Sequence, residues 1–137
     1  MNKILVDTNI LIYAIDKDSL YFEKAQDIIQ NTTLYLYTTS KNISEFLAVI
    51  TKGPENGLSI DDALNAVNEY ISFLKVLYPN QNTYKHFMKL LKKYNPMGLK
   101  IHDFEIASIG ITNAIEQIAT FNQKDFQQIE EISVYTP

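Results

Sequence analysis

The sequence predicts a parallel α/β fold in which five short strands alternate with helices and one sheet is covered on both faces. Three observations carry that prediction. Short apolar runs bounded by turn residues recur at residues 3–6, 34–37, 76–78, 117–120 and 132–135. The segments between them place apolar residues at helical spacing. An acid, or its amide relative, stands just after the first and fourth runs, at Asp7 and Asn122. Open parallel sheets bind ligands there, beyond the carboxyl ends of the strands. Strands that alternate with helices, with no tight hairpin turn between strands, indicate a parallel sheet with helical crossovers.

Each element has a local reason. Residues 3–6 (Lys-Ile-Leu-Val) form a short buried strand that Asp7 ends. Residues 8–15 follow as a helix, with Asp7 or Thr8 as its N-cap. Residues 20–30 form a second helix, apolar at Phe22, Ala25, Ile28 and Ile29. Asn31-Thr32-Thr33 turns the chain into the aromatic strand 34–37. Ser40 can cap a helix through Ile43, Phe46, Leu47 and Ile50, with Glu45 inside it. Gly53-Pro54-Glu55-Asn56-Gly57 is the strongest breaker in the chain. Ser59-Ile60-Asp61-Asp62 then opens a helix with Ala63, Val67, Tyr70, Ile71 and Leu74 inward. Pro79 stops the strand 76–78, and residues 82–94 are amphipathic. Asn95-Pro96-Met97-Gly98 breaks that helix before the next, at residues 101–115. Gly110 inside that helix costs about 1 kcal/mol against alanine, which predicts a close packing contact. The strands 117–120 and 132–135 are joined by a short helix around Phe126.

The chain of 137 residues suits a single domain spanning residues 1–137, and 46% hydrophobic with 20% charged residues is a globular composition. With no cysteine, disulfides, zinc–thiolate sites and thiol chemistry are excluded. No segment reaches the length of a membrane span and no signal peptide is visible, so a cytoplasmic location is expected. The net charge is −4, and all 12 basic side chains are lysines. Such a chain cannot grip phosphates by bidentate arginine forks.

Asp7, Glu45 and Asp103 are distant in sequence, but a parallel sheet can bring them together. Taken singly, each has an ordinary explanation: an N-cap, a surface glutamate, an acid at a favourable helix start. Gathered, they raise one another's cost of ionisation unless a cation offsets it. Oxygen ligands suit Mg²⁺ or Mn²⁺. That donor set points to metal-assisted phosphodiester hydrolysis. A phosphate-cradling glycine-rich loop is missing, and no aspartate–lysine pair suits a phospho-acceptor domain.

Four stretches carry a resemblance: Val6-Asp7-Thr8-Asn9-Ile10-Leu11, Ser40 to Leu47, Gly98 to Ala107 with His102-Asp103, and Thr120-Phe121-Asn122-Gln123-Lys124-Asp125-Phe126. In that order and spacing, with Val134-Tyr135-Thr136-Pro137 at the end, the chain resembles the PIN domains of VapC-like ribonuclease toxins. The resemblance covers nearly the whole length. It implies a three-layer α/β/α sandwich with a five-stranded parallel sheet. It implies a site for Mg²⁺ or Mn²⁺ built from Asp7, Glu45 and Asp103, and ordered by Thr120. The family often has a fourth acid where this chain has Asn122. Asn122 can still orient a water or phosphate, and Asp125 either completes the metal site or caps the following turn. The implied activity is endoribonuclease cleavage of RNA, with a cognate antitoxin as partner and a homodimer as assembly. The alternative is a catalytically weak or inactive PIN-fold module that binds RNA or protein.

Lys85, Lys89, Lys92 and Lys93, with Lys100 after them, form either a solvated helix face or a stripe that steers RNA. Tyr13, Tyr21, Tyr35, Tyr37 and Tyr70 either stack on bases or pack as core and interface residues. Apolar faces around Ile12, Phe22 and Phe46 either receive the antitoxin or lie buried within the domain.

Overall fold

The structure is a computed structural model that describes residues 2–137. The strands are β1 (Asn2–Val6), β2 (Leu34–Thr39), β3 (Lys75–Leu77), β4 (Gln117–Ala119) and β5 (Ser133–Val134). They form one five-stranded sheet in the order β3-β2-β1-β4-β5, and every pairing is parallel. The helices are α1 (Thr8–Tyr13), α2 (Phe22–Ile29), α3 (Ser40–Ile50), α4 (Ile60–Ile71), α5 (Gln81–Tyr94), α6 (Lys100–Thr112) and α7 (Gln123–Gln127). All five expected strands are present, offset by one or two residues at their ends.

Alternate residues of β1 divide the core in two. Ile4 and Val6 pack with Ile10, Leu11, Ala25, Phe46 and Val67, from α1 to α4. Leu5 packs with Leu90, Phe104, Ile109 and Phe126, from α5 to α7. Successive side chains of a strand point to opposite faces, so one apolar run serves both layers. Ile4, Leu5 and Val6 are fully buried, as a central parallel strand requires. The result is the three-layer sandwich.

The packing contact expected at Gly110 is present. A Cβ built on this buried residue of α6 would stand 3.1 Å from Leu5 Cδ2. Gly110→Val should therefore destabilise the fold by about 1–3 kcal/mol through overpacking. The check is a lower urea midpoint at unchanged m-value. Wild-type stability in this variant would mean that α6 does not lie tightly against the sheet.

Candidate active site

β1 is followed in sequence by β2 on one side of it, whereas β4 lies on its other side. The β1–β4 boundary is thus the topological switch point, where parallel sheets open a crevice. Pairing between the two strands covers only Leu5↔Ile118 and Val6↔Ala119. One more backbone bond, from Asp7 N to Ala119 O at 3.0 Å, closes the ladder. Beyond it the chains part, leaving Asp7 and Thr120 facing each other.

Asp7 is buried and caps α1, its Oδ1 accepting from Thr8 N at 2.9 Å. Its Oδ2 accepts from Thr120 Oγ1 at 2.8 Å, directly across the switch point. Thr120 Oγ1 in turn accepts from Asn9 Nδ2 at 3.0 Å and from Asn122 N at 3.1 Å. The N-cap role and the site role of Asp7 are therefore held by one carboxylate.

A second network comes from α3, and the sequence reading missed it. Thr39, rather than Ser40, caps the helix, in a capping box with Asn42. Asn42 is fully buried. Its Oδ1 accepts from Thr39 Oγ1 and N, at 2.6 and 3.3 Å. Its Nδ2 donates to Asp7 Oδ1 at 3.2 Å and to Thr8 Oγ1 at 2.9 Å. Thr8 Oγ1 donates onward to Glu45 Oε2 at 2.9 Å. The Thr-x-x-Asn spacing of residues 39–42 was a legible capping signal, but its reach to Asp7 was not.

Asp103 lies in the first turn of α6 and Asp125 in the first turn of α7. Both are partly buried. Burial is the main cause that pushes the Asp103 carboxyl up to about 7, reinforced by Asp125, Asp7 and Glu45, while Lys100 opposes the shift. Asp7 is likewise raised, by burial first and then by Glu45 and Asp125, against the lowering hydrogen bonds from Thr120 and Thr8 N. Asp7, Glu45, Asp103 and Asp125 thus share one electrostatic neighbourhood.

None of these four carboxylates forms an ion pair among the described residues, whose salt bridges are Lys41–Glu105 and Lys93 with Glu130 and Glu131. Four hard oxygen donors without a counter-charge suit a divalent cation. They do not yet make a closed cage: among the described residues, no three acids or histidines are grouped closely enough to hold one ion as they stand. Glu45 is held toward the Thr8 hydroxyl.

The other candidates separate clearly. The Asn122 side chain is exposed and does not cap α7. Only its backbone N–H joins the network, through Thr120. Asp125 makes no side-chain cap either. His102 is exposed. Lys93 is engaged by Glu131 at 3.0 Å and Glu130 at 3.4 Å, which removes it from a free lysine stripe. Tyr70 donates to Leu11 O inside the core, and Phe46 packs edge-on against its ring, so neither faces a base or a partner. No described helix is long and apolar enough to cross a membrane.

A parallel sheet with a buried aspartate at its switch point, steadied by threonine and asparagine side chains and electrostatically coupled to further acids, is the frame of a PIN domain. The PIN domain family model matches residues 4–132, and the chain belongs to that family. Among known relatives, Ribonuclease VapC1 of Haemophilus influenzae (strain R2866) is 26% identical over 134 residues, spanning 93% of this chain and 92% of that one. The structure of VapBC-1 from nontypeable H. influenzae aligns with a TM-score of 0.67 at 25% identity, over 97% of this chain and 96% of that one. A toxin–antitoxin complex from Klebsiella pneumoniae aligns with a TM-score of 0.71 at 19% identity, over 98% and 97% of the two chains.

Proposed function

We propose that this protein is a metal-dependent endoribonuclease, the toxin of a toxin–antitoxin pair, acting in the cytoplasm and restrained by a cognate antitoxin. The observation that carries this reading is the electrostatic coupling of the buried Asp7 at the switch point and of Asp103 to Glu45 and Asp125, uncompensated by any ion pair among the described residues. The family and the named relatives support the same activity. The homodimer follows from the family resemblance.

In this reading Asp7, Glu45 and Asp103 would hold Mg²⁺ or Mn²⁺, with Asp125 replacing the charge that Asn122 lacks. A bound ion would supply Lewis-acid polarisation of the phosphate and a water of lowered pKa. Thr120 and Asn42 fix the Asp7 carboxylate from its two oxygens. Glu45 is tethered through Oε2, and its Oε1 has no partner among the described residues. Glu45 or Asp103 would accept a proton from water. Asn122 lies open to solvent, where its amide can meet a phosphate oxygen or water.

The test is cleavage of an RNA pool with Mg²⁺ or Mn²⁺, across pH. Asp103 keeps its proton to about pH 7 in the folded chain, against an ordinary value of 3.8. Folding therefore takes up a proton between those values, and the metal-free protein loses stability as pH rises from about 4 to about 7. Bound metal must displace that proton, so metal-induced thermal stabilisation should grow over the same interval. Cleavage should need the divalent ion and weaken below about pH 7. Absence of cleavage in every RNA pool would favour the other reading, a PIN-fold binding module, which the amide at Asn122 supports.

A further inference from the structure

Phe121 sits between the reacting edge and an aromatic cluster that the metal chemistry does not use. Its backbone N donates to Asn9 Oδ1 at 3.1 Å, and the same asparagine contacts Thr120 and Asp7 through Nδ2. The ring is therefore positioned from the same side chains that order the acids. Behind it lie Tyr21 and Tyr13, with ring centroids 4.9 and 5.8 Å from Phe121 and 5.1 Å from each other. Tyr21 is 45% exposed.

An open cleft separates this cluster from ordinary core: it has a volume of about 590 Å³ and is lined by Phe121, Asn122, Gln123, Lys124, Asp125 and Gln127. Phe121 lines it at one end, Asp125 of the acid cluster lines it too, and the rest offers three primary amides and an ammonium group. Amides present paired donors and acceptors that match the edge of a nucleobase, and a lysine matches phosphate. Sequence-specific RNA readers stack unpaired bases on aromatic rings and hydrogen-bond their edges.

We propose that the Phe121 cleft holds one unpaired nucleobase of the RNA beside the scissile phosphate, Phe121 stacking on it and the Gln123 and Gln127 amides reading its edge. This rests on the endoribonuclease reading for its substrate. With no arginine in the chain, aromatic faces are the available stacking surfaces, and the backing of Tyr21 and Tyr13 keeps Phe121 from folding away.

The experiment uses the full chain and short single-stranded RNAs carrying 2-aminopurine at successive positions, with cleavage and fluorescence followed in parallel. Stacking on Phe121 should quench one position selectively. Phe121→Ala should abolish that quenching and lower kcat/KM about tenfold, chiefly through KM, as loss of a base-stacking ring does. Phe121→Trp should restore both, and Gln123→Ala with Gln127→Ala should flatten the preference among bases at that position. Circular dichroism and melting confirm that each variant is folded. A folded Phe121→Ala protein with wild-type quenching and an unchanged cleavage pattern would overturn the proposal. Failure of the ribonuclease reading is distinguishable: wild-type protein would cleave nothing with either metal, and position-selective quenching would then decide the base subsite by itself, its presence supporting the proposal and its absence ending it.

Discussion

Asp7→Asn should reduce metal-dependent RNA cleavage by more than about 100-fold while leaving the protein folded. Removing merely a hydrogen-bond partner of a metal ligand typically costs about 10–100-fold, and this substitution alters what the proposed function makes a ligand itself. Asparagine keeps the shape of the N-cap and can still accept from Thr8 N. It loses the negative charge, and it turns an N–H₂ toward either Thr120 or Asn42, both of which now donate to Asp7. The charge change has a second readout. Asp7 is one of the acids that raise Asp103, so the Asp103 carboxyl should titrate lower in the variant. Carboxyl-detected NMR titration would measure it. A variant with undiminished cleavage would mean that the observed activity arises elsewhere.

Asn42→Ala carries the largest expected loss of stability. All four hydrogen-bonding positions of this fully buried amide are in use, toward Thr39, Asp7 and Thr8. Truncation removes the reciprocal half of the α3 capping box and deprives the hydroxyl proton and N–H of Thr39, itself fully buried, of their Asn42 Oδ1 acceptor, while Thr39 Oγ1 still accepts from the backbone N of residue 42. Unsatisfied buried groups cost about 1–3 kcal/mol each, and partial relaxation brings the expected total to about 3 kcal/mol. For a chain of this size that is a fall of about 10 °C in Tm. Cleavage at a temperature where the variant is folded should still drop about 10–100-fold, since Asp7 and Thr8 lose a shared donor. Asn42→Ala with wild-type melting would contradict the geometry of this network.

The two variants mark the boundary between what could and could not be read from the chain. Asp7 and Asp103 stand beside local signals, a strand end and a helix start, whereas Glu45 lies inside α3 and was singled out only by the family resemblance. Asn42 offered the sequence no more than a local capping signal with Thr39. Its importance comes from hydrogen bonds to Asp7 and Thr8, 35 and 34 positions away, which no local pattern encodes. Asp125 stood between capping and charge compensation on the sequence. Its electrostatic coupling to Asp7 and Asp103 depends on α7 being packed against the switch point. Lys93 fits the periodicity of a free lysine stripe, yet Glu130 and Glu131 reach it from beyond α7.

Strand and helix order and the parallel sheet were determined by the sequence alone, because apolar periodicity, caps and breakers act over a few residues. Which side chains steady those acids, which lysines stay free, and where Phe121 lies relative to Tyr13 and Tyr21 were decided only by the tertiary structure. Those relations depend on the order β3-β2-β1-β4-β5, which brings Thr120 within 2.8 Å of Asp7 across 113 positions of chain.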